Sequence, residues 1–449
     1  MLAYRALRYT IRVLLGTFFR EVRKVGHEDL PRPEDGPVLL VGNHPNSLID
    51  PALLIATSGR IVHFAAQDGL FRNRAMRWVL AGLGAVPVRR RSDHGGGKVD
   101  NAEAFAALHS VLQAGRAIGI FPEGLSHDEA ALQRFKTGVA RIALGFAQAH
   151  PDVPLRIVPC GLTYVRRRRF RSRVLVQYGL PLSVDEAWRA RYDDDAKLAV
   201  RELTDTVEQS LRDLTVNADD WESMRVLEAV RRLYQPPRAS LTERVELARR
   251  FCSVYPQVRD EPEVKALWDR VRSYQDDLEL AGLTDRDLIS RPTRLELLHR
   301  GLANTLLILL WLPLAGPGLL LHLPLGLLIT WGGRRFMPRE DALATSKLLV
   351  GALLLVPCYC ALFLAAAWAW HWGAALIVGV LLLASGHATL KVLERWHALM
   401  RVARRGLRWR RGRWRLEAMR AERLTLVEAV EKAVDQFAPE DMELLFPRG

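Results

Sequence analysis

Cysteine is scarce in this 449-residue chain. Its four cysteines, Cys160, Cys252, Cys358 and Cys360, form no framework of paired spacings, which argues against a disulfide-stapled secreted fold. Cys358 and Cys360 lie in an apolar run without histidines at ligand spacing, so no metal site is expected. The N-terminus lacks the uninterrupted apolar core of a signal peptide, because Arg5, Arg8 and Arg12 break it and no small-residue cleavage site follows. A nucleotide-binding P-loop is also missing: Gly95-Gly96-Gly97-Lys98 is followed by Val99, where a serine or threonine is needed, and reads as a flexible loop. Acidic residues are outnumbered, 50 against 64 basic, and the net charge of +14 calls for an anionic partner. Nucleic acid, anionic lipid and phosphorylated substrates all qualify. A reducing, cytoplasm-facing location fits these features.

What is present is unevenly spread. The length suggests two or three units. Residues 1–24 read as a basic amphipathic helix, with Leu7, Ile11, Leu14, Leu15, Phe18 and Val22 at helical spacing among arginines. That pattern suits a membrane interface, or packing on the helix's own domain. Residues 25–184 alternate short apolar strands (37–42, 61–65, 85–88, 117–121, 155–160, 173–178) with helices at 101–114 and 136–149. Such alternation predicts an α/β domain, a mixed sheet flanked by helices. Residues 185–300 are charged and helix-rich, a helical extension broken at Pro236-Pro237.

The long apolar runs fall in 301–390. Segments 348–370 and 372–390 each approach the roughly 20 residues that span a bilayer and form a tight hairpin. Segment 301–331 is cut by Pro313, Gly316, Pro317, Gly318 and Pro324. Each half is about 14 residues, or about 21 Å of helix, too short to cross. A re-entrant or interfacial hairpin is therefore expected there, with a single tilted crossing as the alternative. Both flanks of the 348–390 hairpin are basic, at Arg334, Arg335, Arg339 and Lys347 and from Lys391 onward, which places them on the cytoplasmic side. Residues 391–449 then form a basic cytoplasmic tail. Its Arg–Trp stretch 404–415 resembles a nucleic-acid binder in composition, but after a membrane span it is explained more simply by anionic lipid headgroups.

Four strand ends carry the polar residues. The run Val38–Val41 delivers Asn43-His44, and Asp50-Pro51 reads as a helix start with Asp50 as N-cap. The run Gly84–Val88 ends in Arg89, Arg90 and Arg91. Ile118–Phe121 runs into Pro122-Glu123-Gly124-Leu125-Ser126-His127, and Ile157–Val158 into Pro159-Cys160-Gly161. Taken singly, His44 reads as a hydrogen-bonded structural histidine, Asp50 as a cap and the arginines as a solvated loop. If the carboxyl ends share one edge, His44, Asp50, Glu123, Ser126 and an arginine converge in a cleft.

These stretches, Asn43-His44…Asp50, Gly84…Arg90, Phe121-Pro122-Glu123-Gly124-x-Ser126 and Val158-Pro159, resemble the four ordered motifs of the glycerophospholipid acyltransferase family. Further stretches, Phe135-Lys136-Thr137-Gly138, Phe170-Arg171-Ser172-Arg173 and Leu214-Thr215-Val216-Asn217 among them, are similar to the glycerol-3-phosphate and dihydroxyacetone-phosphate acyltransferases of fungi and many bacteria. The resemblance covers roughly residues 25–235. It departs from the usual pattern in placing five residues, not four, between His44 and Asp50, and in having Gln67 where many members carry a basic residue.

The resemblance implies transfer of a fatty acyl group from acyl-CoA or acyl-carrier protein to a hydroxyl of glycerol 3-phosphate or dihydroxyacetone phosphate, with lysophosphatidate as the alternative acceptor. No cofactor beyond the acyl donor is implied, nucleic acid is not an expected partner, and anionic membrane lipids are. His44 would be the general base, since an imidazole with its ordinary pKa of about 6.5 is mostly neutral at physiological pH. Asp50 would orient it. Arg90 would hold the acceptor phosphate, with Arg89 and Arg91 as substitutes, while Gly124, Ser126 and Lys136 supply further donors and Glu123 binds a glycerol hydroxyl or an arginine. The protein would be integral to the cytoplasmic membrane. Two rivals from other classes remain: a membrane-anchored lipid hydrolase using Ser126, which lacks the Gly-x-Ser-x-Gly elbow, and a non-enzymatic scaffold.

Overall fold

The computed structural model describes every residue except 1, 73, 90–100, 237, 290–292, 337–341, 412 and 438–449. For residues 2, 3, 75, 294, 333, 334, 336, 404–411 and 413–415 only the backbone is described. The Gly95–Lys98 loop lies outside the described residues. The chain divides into two compact units: Met1–Met224 with Ser240–Ser253 and Arg339–Thr345, and Arg225–Ala239 with Val254–Pro338 and Ser346–Gly449.

In the first unit the elements run α1 (Leu2–Phe18), β1 (Phe19–Val25), β2 (Val38–Gly42), α2 (Ile49–Thr57), β3 (Val62–Gln67), α3 (Arg74–Gly82), β4 (Val86–Val88), α4 (Ala102–Gln113), β5 (Ala117–Ile120), α5 (Gly138–Ala149), β6 (Leu155–Tyr164), β7 (Ser172–Tyr178), β8 (Leu182–Val184), α6 (Glu186–Asp194) and α7 (Ala196–Arg212). Helices α8 (Trp221–Tyr234) and α9 (Leu241–Val258) are each divided between the two units.

The eight strands form one mixed sheet in the order β1-β7-β6-β2-β5-β3-β4, with β8 paired to β6. β6, β2, β5, β3 and β4 are mutually parallel, so their carboxyl ends share one edge, as the motif reading requires. β7 and β8 run antiparallel to β6. β8 takes residues Leu155–Ile157 of β6 and β7 takes Cys160–Tyr164, and Pro159 sits where the partner changes. A proline inside a strand is tolerated at such an interruption.

Val38, Leu39, Leu40 and Val41 are fully buried, as expected of a central parallel strand covered on both faces. Leu39, Val41 and Ile118 pack with Leu108 and Leu112 of α4, Phe146 of α5 and Leu203 and Leu211 of α7. Each buried leucine contributes roughly 1.5–3 kcal/mol of hydrophobic stabilisation. This core lies beneath the edge that the strand carboxyl ends form.

The amphipathic segment differs from its expectation as a helix through residue 24. α1 stops at Phe18, and Phe19–Val25 enters the sheet beside β7, so the sheet starts before residue 25. The β-branched Val22 and Val25 favour the strand. Along α1, Leu15 and Phe18 are buried, Tyr4 exchanges hydrogen bonds with the Val62 backbone, and Arg12 Nε donates to Ala56 O at 3.0 Å. That face of α1 is thus packed on its own domain.

The second unit holds α10 (Pro262–Leu280), α11 (Asp285–Ile289), α12 (Arg294–Phe336), α13 (Leu343–Ala369, from Ser346 on), α14 (Trp372–Arg411) and α15 (Arg413–Phe437). The expected break in 301–331 does not occur. α12 is one 43-residue helix that contains Pro313, Pro317 and Pro324. Prolines are tolerated inside apolar helices where neighbouring helices satisfy the freed backbone groups. At about 1.5 Å per residue α12 is roughly 64 Å long, so the two-short-halves argument for a re-entrant hairpin falls.

Leu295–Gly332, Leu343–Ala369 and Trp372–Ala403 are each long and apolar enough to cross a membrane. Gly318 of α12 brings the backbones together: a Cβ there would lie 2.6 Å from Ser385 O of α14. His322 Nε2 lies 2.6 Å from the Tyr359 hydroxyl of α13, which donates to Leu382 O of α14 at 3.2 Å.

The described residues of the basic tail are helical. α14 continues to Arg411, and α15 packs on α10 and α11 with Leu426, Val430 and Val434 buried. Arg423 Nε and the Tyr274 hydroxyl each donate to buried Asp285 Oδ1 at 2.8 Å.

Candidate active site

The carboxyl end of β2 delivers Asn43 and His44 to the shared edge. Asn43 extends the strand pairing with its side chain: its amide donates to Leu162 O at 3.0 Å and its carbonyl accepts from Leu162 N at 2.7 Å. The turn that follows is thereby fixed to β6. His44 Nδ1 lies 2.8 Å from Asp50 Oδ2, and Asp50 is fully buried.

The five-residue gap closes through the backbone. Asn46 N donates to the same Asp50 oxygen at 2.7 Å, and Ser47 takes up the extra residue in the left-handed region, φ 48°. A non-glycine there costs about 1–2 kcal/mol, a strain typical of functional turns. The helix begins two residues earlier than expected, with Leu48 as N-cap and no side-chain cap bond. Asp50 is therefore not a cap; its carboxylate serves His44, Asn46 and Tyr164.

The imidazole stacks on Phe121 at 4.2 Å, and Phe121 stacks on Phe64. Gly119 makes room for Phe64, since a Cβ would lie 2.1 Å from its ring. With Nδ1 committed to Asp50, Nε2 has no partner among the described residues and is the nitrogen left for a substrate proton.

The turn after β5 is stitched to this one. His44 N donates to Glu123 Oε1 at 2.8 Å, Ser47 N to Ser126 Oγ at 3.0 Å, and His127 N to His44 O at 3.3 Å. Glu123 is buried and also accepts from Gln133 N at 2.9 Å and pairs with the His127 ring. Its oxygens are thus occupied by the protein's own donors. Gly124 N closes a turn on Phe121 O at 3.0 Å, with Pro122 as its second residue. Gly124 has φ 79°, and a Cβ on it would lie 2.3 Å from Lys136 Nζ. The exposed Lys136 side chain therefore lies over Gly124, beside the turn that carries Ser126.

His44, Asp50, Glu123, Gly124, Ser126 and Lys136 are thus brought to one edge. Arg90 lies outside the described residues, as does Arg91. Arg89 is exposed after β4, where its N–H donates to Asn101 Oδ1 at 3.0 Å. Two strands, β5 and β3, separate β4 from β2, so their ends are about 14 Å apart.

Three contributors escape sequence reasoning. Tyr164 donates to Asp50 Oδ1 at 2.5 Å. Burial first, and then the Asp50 charge, push its phenol pKa well above the ordinary value. Arg167 donates to Pro45 O at 2.9 Å, pairs with Asp128 and lies 5.8 Å from the Trp221 ring. Asn43 was visible only as the residue before the histidine. The strand expected over 155–160 runs on to Tyr164, past Pro159 and Gly161, which look like a stop in the sequence.

Comparison with known proteins defines the class. Residues 21–163 match the acyltransferase family, and residues 226–335 match the glycerol-3-phosphate acyltransferase 2 C-terminal domain. Residues 21–163 thus form an acyltransferase domain and residues 226–335 a stretch matching that C-terminal domain, in keeping with the resemblance to the fungal branch. Among characterised relatives it is similar to glycerol-3-phosphate O-acyltransferase 2 of Saccharomyces cerevisiae, 38% identical over 205 residues, 45% of this chain and 28% of the yeast protein. Glycerol-3-phosphate O-acyltransferase 1 of the same yeast is 36% identical over 42% of this chain and 25% of that protein. A 1-acyl-sn-glycerol-3-phosphate acyltransferase of Borreliella burgdorferi is 29% identical over 32% of this chain and 54% of its own length. The chain thus spans little more than a quarter of the yeast proteins' length.

Proposed function

We propose that this protein is a membrane-bound glycerolipid O-acyltransferase that moves a fatty acyl group from a thioester donor, acyl-CoA or acyl-carrier protein, to a hydroxyl of glycerol 3-phosphate or dihydroxyacetone phosphate in phospholipid synthesis. The observation that carries this reading is the His44–Asp50 pair at 2.8 Å, with Nε2 open, set in a domain that matches the acyltransferase family.

His44 Nε2 takes the proton of the acceptor hydroxyl as its oxygen attacks the thioester carbonyl. Buried Asp50 stabilises the imidazolium that forms. The tetrahedral intermediate then collapses, the carbon–sulfur bond breaks, and the leaving thiolate takes the proton back. General base catalysis of this kind supplies about 10²–10⁴ in rate. The attacking group is the substrate's own hydroxyl, so no acyl-enzyme forms. Lys136, with its ammonium over Gly124, and Arg90 are the cations we assign to the acceptor phosphate. Ser126 and Glu123 shape the turn between them, and their hydrogen bonds to Ser47 and His44 support a scaffold role over direct substrate contact.

The donor and acceptor are substrates, and no further cofactor takes part. The apolar helices make the protein integral to a membrane, which we assign to the cytoplasmic membrane, with its anionic lipids as partners. The docking of α15 on α10 and α11 supports one side for the start of α12 and the end of α14, which requires an even number of crossings. We therefore assign α13 and α14 as the spanning pair and α12 as an interfacial helix, with the basic flanks favouring the cytoplasmic side. Labelling single cysteines at Asp269 and Glu428 in sealed vesicles should give equal accessibility; opposite accessibility overturns that topology.

The relative from Borreliella burgdorferi favours lysophosphatidate as the second acceptor. Purified protein given labelled acyl-CoA and each of the three acceptors in competition decides. Preference for glycerol 3-phosphate or dihydroxyacetone phosphate supports the reading, preference for lysophosphatidate supports the alternative, and free fatty acid as the product would indicate a hydrolase.

A further inference from the structure

We propose that Tyr164 is a positioning residue for acyl transfer: through its hydroxyl it holds the Asp50 carboxylate in the orientation that aims His44. This rests on the acyl-transfer reading of the site. Asp50 divides its two oxygens between different donors. Oδ2 takes His44 Nδ1 at 2.8 Å and Asn46 N at 2.7 Å, while Oδ1 takes the Tyr164 hydroxyl at 2.5 Å. A carboxylate torsion is broad and roughly two-fold, so bonds to one oxygen alone leave the group free to rock. The phenol on the second oxygen removes that freedom.

Tyr164 is well placed for the task because it stands on the sheet and not on a loop. It ends β6, pairs with Val174 of β7, and its ring lies 5.9 Å from that of Phe19 on β1. Sites built on strands hold their geometry more tightly than sites on loops. Burial and the adjacent anion keep the phenol protonated, so it remains a donor throughout the working pH range. The other charged groups near the pair are Glu123 and His127 on the turn after β5 and Arg167 on the turn after β6. They bind backbone atoms of His44 and Pro45.

The phenol also tempers Asp50. A carboxylate with a bare oxygen attracts a neighbouring imidazolium more strongly, which delays the neutral base on the acid side. The test uses the full chain in membranes with acyl-CoA and glycerol 3-phosphate, comparing wild type, Tyr164→Phe and His44→Ala. For Tyr164→Phe, kcat falls about tenfold to a hundredfold and the KM values of both substrates change little. The acid limb of its kcat/KM profile moves to higher pH.

Site-specific 3-fluorotyrosine at position 164, a stronger donor that deletes no atom, moves that limb the other way and serves if Tyr164→Phe does not fold. An unmoved limb in both forms, or wild-type kcat in Tyr164→Phe, overturns the role of Tyr164 while His44→Ala is inactive. Full transfer by His44→Ala, or none by wild type, overturns the underlying reading instead.

Discussion

The backbone N–H of Asn46 and the imidazole of His44 meet on the same oxygen, Asp50 Oδ2, at 2.7 and 2.8 Å. The longer spacing between histidine and acid is therefore accommodated by a turn that binds the acid twice. An extra residue ordinarily loosens a constellation; here it adds a donor.

Replacing Asp50 by asparagine puts an amide where two donors converge. The amide can present an N–H to His44 Nδ1 and so favour the wrong tautomer. By analogy with serine-protease triads, kcat should fall about 10³–10⁴-fold with the fold retained. Steady-state kinetics beside a circular-dichroism melt checks this; a drop of less than tenfold would mean that Asp50 is not the orienting acid.

Gly124→Ala should harm both stability and acceptor binding. A side chain at φ 79° costs about 1–3 kcal/mol, and the new methyl displaces Lys136 Nζ. The KM for glycerol 3-phosphate should rise more than that for acyl-CoA. An equal rise in both would detach Lys136 from the phosphate.

Much of this site was legible because its parts are strand ends. Apolar runs such as Val38–Val41 and Ala117–Ile120 mark buried strands, and the convergence of His44 with Glu123 and Ser126 needs only that these strands run parallel, which β2 and β5 do. Tyr164 and Asn43 were hidden because their roles depend on β6 running on past Pro159, where the change of strand partner offsets what reads locally as a break. Phe19–Val25 is ambiguous in sequence because Val22 fits a helical face as well as a strand, and only its pairing with β7 decides. Short prolyl segments in 301–331 suggested a broken helix, yet α12 continues through them against α14.

Arg423→Ala should loosen α15. It removes one partner of a buried ion pair and leaves Asp285, 4% exposed, with the Tyr274 hydroxyl as its remaining side-chain donor among the described residues. Breaking such a pair costs about 3–5 kcal/mol. Limited proteolysis should then cut within α15, while a wild-type cleavage pattern would show that the pair does not hold the helix.

Acid should weaken the first unit through His63. Burial lowers its pKa, helped by Arg116 and opposed by the hydrogen bond to Gly84 O. Folding thus favours the neutral ring. That contribution is complete above the ordinary imidazole pKa of about 6.5 and is lost as the pH falls from there through the lowered native value. His63→Gln should flatten the dependence of thermal midpoint on pH below neutrality; an unchanged slope would assign the acid sensitivity elsewhere.

The most direct test of the central claim is acyl transfer by the purified full chain from labelled acyl-CoA to glycerol 3-phosphate, wild type against His44→Ala at equal folded protein. Labelled lysophosphatidate from wild type and none above background from His44→Ala is the outcome predicted. Equal product from both would contradict the assignment of His44 as the base.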